Sequence, residues 1–72
     1  MTDDHDPRID PQAGDSVIAR IGDQYVTRTV RAITQDGICY DDSRRTKWQI
    51  CWFTTWQDWC RKNKAEVVRD EK

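Results

Sequence analysis

Ile33-Thr34-Gln35-Asp36-Gly37-Ile38-Cys39-Tyr40 is the stretch on which the fold turns. An Asp-Gly dipeptide between β-branched and aromatic flanks is the strongest short-range signal for a tight antiparallel hairpin. The first arm of that hairpin extends back to Tyr25, a run with Val26 and Val30 in phase and a phase shift near Ile33 of the kind a bulge produces. Before it, Gly22-Asp23-Gln24 reads as a turn, and Ser16 to Ile21 alternates with Val17, Ala19 and Ile21 on one face. Gly14-Asp15 launches this first strand.

Downstream, Asp41 to Thr46 is highly charged and reads as a loop, with Asp41 and Asp42 as turn residues whose carboxylates diverge. Lys47 to Phe53 resumes as a strand carrying Trp48, Ile50 and Trp52 on one face and Gln49, Cys51 and Phe53 on the other. Both faces hold large apolar groups, so one of them is expected to meet the core and the other a cover or a partner. Thr54 or Thr55 is placed to cap a short helix, with Asp58 near its start, Trp56, Trp59 and Cys60 on one apolar face, and Arg61, Lys62 and Lys64 at its C-terminal end. Asn63 suits the left-handed residue that ends a helix, and Ala65 to Val68 reads as a closing strand. Trp52, Trp56 and Trp59 are expected in the core and Trp48 partly outside it.

At 72 residues the chain has room for one compact core rich in aromatic area. Residues 1 to 13 contain two prolines, four acids and no apolar period, which predicts a flexible acidic N-terminal arm. Residues 14 to 68 form the predicted domain, and 69 to 72 a charged tail. Charge is unevenly spread: residues 17 to 64 hold nine Lys and Arg against five Asp, whereas residues 1 to 16 hold five Asp against one Arg. An acidic leader on a mildly basic body reads first as a solvating arm and second as an intramolecular competitor for an anion that the body binds, and such binding is expected to be weak and salt-dependent.

The catalytic and metal-binding classes find no pattern. Cys39, Cys51 and Cys60 are odd in number and sit in apolar surroundings, as reduced core thiols do, and the lone histidine, His5, lies far from them in sequence. With no paired ligand spacing and no base within the domain, neither a metal site nor a cofactor nor a catalytic residue is expected, and the chain reads as non-enzymatic. No run nears the ~20 apolar residues that span a bilayer, and no basic-then-apolar leader opens the chain, so a soluble cytoplasmic protein is expected.

Strand, strand, Asp-Gly hairpin, strand, short helix and closing strand is an order that resembles a small SH3-like barrel. Gly14-Asp15-Ser16-Val17-Ile18-Ala19-Arg20, the aromatic Tyr25 opening the second strand, and Asp36-Gly37-Ile38-Cys39-Tyr40 resemble the first three strands of Tudor and related Royal-family domains over residues 14 to 42. The resemblance implies a mainly β fold, a small barrel of about five antiparallel strands with one short helix before the last. It also implies an aromatic reader of methylated lysine or arginine, for which only Tyr25 and Tyr40 stand at suitable positions.

Three binding functions follow, all those of an interaction module. The first is weak nucleic-acid binding through Arg28, Arg31, Arg44, Arg45 and Lys47, with Tyr40 or Trp48 stacking a base. The second is protein docking or homo-oligomeric assembly through an exposed aromatic face of the fourth strand. The third is the methyl-lysine or methyl-arginine reader at Tyr25 and Tyr40.

Overall fold

The structure, a computed structural model, describes residues 5–68. Five antiparallel strands form one curled sheet, with β1 at Ser16–Ile21, β2 at Gln24–Thr34, β3 at Gly37–Asp42, β4 at Gln49–Cys51 and β5 at Glu66–Val68. A helix, α1, occupies Phe53–Lys62, between β4 and β5. The strand order is β4-β3-β2-β1-β5, so the chain runs as a meander and then returns its last strand to the side of the first. The fold expected from sequence is therefore the fold observed: mainly β, five strands, and one short helix before the last. The charged tail at 69–72 and the first four residues of the arm lie outside the described residues.

The alternation Val17-Ala19 of β1 and Val26-Arg28-Val30 of β2 points inward, and Ile38, Tyr40 and Asp42 of β3 join the same face. Trp56 and Cys60 of α1, with Ala65, close over them. Trp56 is fully buried and meets Tyr40 edge to face, ring centroids 5.4 Å apart, a contact worth about 1 kcal/mol beyond area burial. A bulge lies between Val30 and Ala32, slightly earlier than the phase shift in sequence suggests. The extra residue, Arg31, lets Val30 face the core while Ala32 faces out.

Several local expectations are corrected. β3 runs on through Asp41 and Asp42, which are strand residues paired with Thr29 and Arg28 and not turn residues. The Asp-Gly hairpin forms, but its two loop residues are Gln35 and Asp36, with Thr34 paired to Gly37. Thr34 Oγ1 accepts from the Asp36 amide at 3.1 Å. Gly37 is required for another reason: its φ is +127°, and a Cβ there would run into the carbonyl of Cys51 on β4. The fourth strand spans only Gln49–Cys51, and Trp52 is the N-cap of α1 with no side-chain cap bond, so Thr54 and Thr55 lie inside the first turn. Asp58 sits past that turn and holds Arg61 at 2.8 Å.

The helix ends in a Schellman arrangement. The Ala65 amide donates to Cys60 O at 2.8 Å and the Lys64 amide to Arg61 O at 3.3 Å. The left-handed residue is thus Lys64, at φ 54°, and not Asn63. Ala65 and Cys60 are both buried, which supplies the apolar contact that accompanies this motif.

Residues 5–13, expected to be a flexible arm, are docked. Asp6 starts a turn that takes amides from Ile9 at 2.8 Å and Asp10 at 2.7 Å, and its carboxylate holds Arg8. Pro7 and Pro11 are buried. Trp56 Nε1 donates to Pro7 O at 2.9 Å, Gln57 Nε2 to Ile9 O at 2.8 Å, and Arg8 to Ala65 O at 3.3 Å. The buried indole N–H needs an acceptor, and a backbone carbonyl of the arm supplies it. This is why composition misjudged the segment: prolines and main-chain oxygens dock it, and neither leaves an apolar period.

Two substitutions test these backbone assignments in thermal or denaturant unfolding. Lys64→Gly relieves the left-handed lysine and stabilises by about 1 kcal/mol. Gly37→Ala meets both a forbidden φ and the Cys51 carbonyl, and costs at least about 2 kcal/mol.

Candidate interaction face at the β4 edge

The register of β3 and β4 decides which side chains face out. Tyr40 lies opposite Gln49, Cys39 opposite Ile50, and Ile38 opposite Cys51. Directly opposed residues of an antiparallel pair share a face. Because Ile38 and Tyr40 are buried, Gln49 and Cys51 turn inward, and Cys51 packs against the core. Ile50 then points out beside Cys39, which is itself opposite Ala32 of β2. Trp48 and Trp52 flank Ile50 at the two-residue spacing that keeps side chains on one side of an extended chain.

The result is an outward row, with Trp48 54%, Ile50 47% and Trp52 63% exposed. Trp52 was expected in the core and is the most exposed tryptophan. The reason is that α1 begins at Phe53, so Trp52 still follows strand alternation, and the apolar helix face starts only at Trp56. Among the described residues β4 ends the sheet, so its far side carries main-chain donors and acceptors that no other described strand pairs.

The basic residues named from sequence separate into three groups. Arg28 is only 8% exposed. Its guanidinium lies 4.6 Å from the Tyr40 ring centroid and 3.9 Å from that of Trp59, and its Nε donates to Asp42 Oδ2 at 3.2 Å. Asp42, 3% exposed, also takes Arg44 in a fork, Nε at 3.1 Å and Nη2 at 3.0 Å, and accepts the Arg44 amide at 2.8 Å. Arg31 is exposed and paired with Asp41 at 3.0 Å. Arg45 and Lys47 are exposed, and with Arg44, Thr46 and Gln49 they line a shallow groove of about 360 Å³ beside the start of the tryptophan row.

Burial alone would push the Asp42 carboxyl up. The hydrogen bonds and charge of Arg44, followed by Arg28, outweigh it and hold the carboxyl at about 2. Burial also raises the Tyr40 hydroxyl, and it pushes the Cys60 thiol up to about 11, so both stay neutral near pH 7. Cys39, Cys51 and Cys60 are free thiols. Among the described residues, no group of three or more His, Cys, Asp or Glu is arranged to hold a metal ion, and no helix is long and apolar enough to cross a membrane.

Of the seven residues expected to form a basic and aromatic surface, Arg44, Arg45 and Lys47 line one groove, and Trp48 is exposed next in the chain after Lys47. Arg28 and Tyr40 are part of the core, and Arg31 sits apart in its own pair. Tyr25 is exposed on the outer side of β2 while Tyr40 is buried on the inner side, so the two tyrosines do not converge. Sequence reasoning missed the pairing of Arg28 with Asp42, although the strict phase Val26-Arg28-Val30 already placed that arginine inward. A larger hollow of about 630 Å³ lies across the molecule, between the arm and the end of α1, lined by Arg8, Ile9, Cys60 and Ala65 among others. It shares no lining residue with the β4 edge. Comparison with known proteins finds no matching family model, no matching curated protein and no matching solved structure.

The buried ion cluster makes a paired prediction. Asp42→Asn leaves Arg28 buried against two rings without its carboxylate and destabilises by about 3 kcal/mol. In the parent chain the depressed Asp42 carboxyl stabilises the fold above its ordinary value near 3.8, and this contribution, about 2 kcal/mol, is lost as pH falls through about 2. Urea midpoints measured from pH 5 to pH 2 should drop steeply for the parent and more shallowly for Asp42→Asn.

Proposed function

We propose that this chain is a small non-enzymatic interaction module that docks another polypeptide on the outer face of its β4 edge. The observation that carries the reading is the row Trp48, Ile50 and Trp52, three large apolar side chains each about half exposed or more on a strand that ends the sheet. A domain this short gains most by burying such area, and an outward cluster of it marks a contact surface. Tryptophans are also the side chains that most often dominate interface energetics. The meander with β5 returned to β1 supports an SH3-like reading of the architecture, and three free thiols suit the reducing cytoplasm in which we place it.

Weak nucleic-acid binding has narrower support. It rests on Arg45, Lys47 and Trp48, with Arg44 shared with Asp42, since Arg28 and Tyr40 are enclosed. A methyl-lysine or methyl-arginine reader would need an aromatic cage that Tyr25 and Tyr40 do not make from opposite sides of the sheet. Self-association through the same row is the homo-oligomeric version of the docking reading.

A displayed library of short peptides, selected on the full chain and counter-selected on a Trp48→Ser/Trp52→Ser double variant, tests the reading. Both side chains are exposed, so the variant should fold with little loss. Enriched peptides should bind the parent at least about tenfold more tightly than the variant. Absence of enrichment, or enrichment blind to the variant, removes the reading, and sedimentation of parent and variant separates out self-association.

A further inference from the structure

We infer that the β4 edge takes an extended acidic and apolar segment of a partner protein, added to the sheet as a further antiparallel strand. The inference rests on the docking reading and names its ligand class. Three observations carry it. First, β4 is the free end of the strand order, and extended backbone continues past it to Trp52, which has φ −73° and ψ 158°. At the opposite end of the sheet the arm reaches the start of β5 through Arg8 and Ala65. β4 itself contains no proline and no bulge; its guards are its three-residue length and the nearby Lys47, a charge that an acidic segment answers.

Second, the row repeats every two residues, from Trp48 through Ile50 to Trp52. An added strand lays its own alternate side chains beside such a row while its main chain pairs with the edge, and side-chain fit then supplies specificity. A helix rises ~5.4 Å per turn, whereas two strand residues span ~6.6 Å, and a helix has no free main-chain groups to give an edge. The five residues from Trp48 to Trp52 match a segment of about that length.

Third, the charge is one-sided. Arg44, Arg45 and Lys47 line the groove at the N-terminal end of β4, Arg44 sharing the Asp42 carboxylate with the enclosed Arg28 and Arg31 being matched by Asp41, so Arg45 and Lys47 are left to face a partner. Residues 43 to 57 contain no Asp or Glu. A second copy pairing through β4 therefore brings no carboxylate to answer these cations, whereas an acidic segment does. Antiparallel addition, the orientation of every other pair in this sheet, sets its acidic residues at its C-terminal end, next to Arg45 and Lys47.

The test uses the full chain and labelled synthetic peptides read by fluorescence anisotropy. The probe alternates valine and threonine over six residues and ends in three aspartates. Binding is expected at a Kd on the order of 10–100 µM, weakened at least about tenfold by Arg45→Glu/Lys47→Glu and by Trp48→Ser/Trp52→Ser. Only alternate amides of an added strand face the edge. N-methylating one alternate set should abolish binding, and methylating the other set should leave it. Equal effects of the two sets, equal binding of the peptide with its aspartates moved to the N-terminus, or equal binding of a lysine-ended peptide each overturn strand addition by an acidic segment. An oligodeoxythymidine that binds more tightly than the peptide and ignores the tryptophan substitutions overturns it in favour of nucleic acid. If library selection yields ligands sensitive to the double variant while the alternate-amide test fails, docking stands and the ligand class falls. If neither responds, the docking reading itself has failed.

Discussion

Arg28 is the constraint on which the rest of the domain depends. Its guanidinium is enclosed between Tyr40 and Trp59 and bonded to Asp42, so one side chain of β2 joins β3 and α1. Stacking on two rings contributes about 1–2 kcal/mol when desolvated, but the ion pair beneath it is costly to bury and is a weak source of net stability. Its larger effect is on geometry. A slip of one residue between β2 and β3 would turn Arg28 to solvent and leave the enclosed Asp42 with Arg44 as its remaining cation. The same carboxylate fixes Arg44 through main chain and side chain, which shapes the loop leading to β4.

Much of the architecture could be read from the residues, for identifiable reasons. Alternation in Val17-Ala19 and Val26-Val30 gave two strands their inward faces, and the Asp-Gly pair marked the hairpin, although Gly37 serves a close approach by Cys51 rather than the turn itself. The two faces of the fourth strand were also legible, because alternation fixes which residues share a side. What alternation leaves open is which side is covered. That depended on where α1 begins, and the threonines that look like caps lie two and three residues past the actual cap, so Trp52 was assigned to the wrong environment.

The candidate site was legible in part. Arg45, Lys47 and Trp48 are exposed, and Arg45 and Lys47 line one groove. Arg28 and Tyr40 were read by residue type, as a cation and a ring available to a ligand, when their strand phase placed them inside. A buried arginine requires a carboxylate, and the hairpin register brings Asp42 opposite it. The arm was the least legible element, because its anchors are proline rings and carbonyl oxygens that any composition measure counts as featureless.

The docking of that arm has a consequence for the order of events during synthesis. Pro7 and Ile9 leave the ribosome long before Trp56 and Gln57, whose side chains hold them across separations of 49 and 48 residues. Contacts of such span close long loops and are reached after the local hairpins. The segment made early is therefore among the last to find its place, and until it does, the Trp56 indole N–H has yet to receive its carbonyl. A nascent chain halted before α1 emerges would hold a paired β1–β3 meander with its leader still undocked.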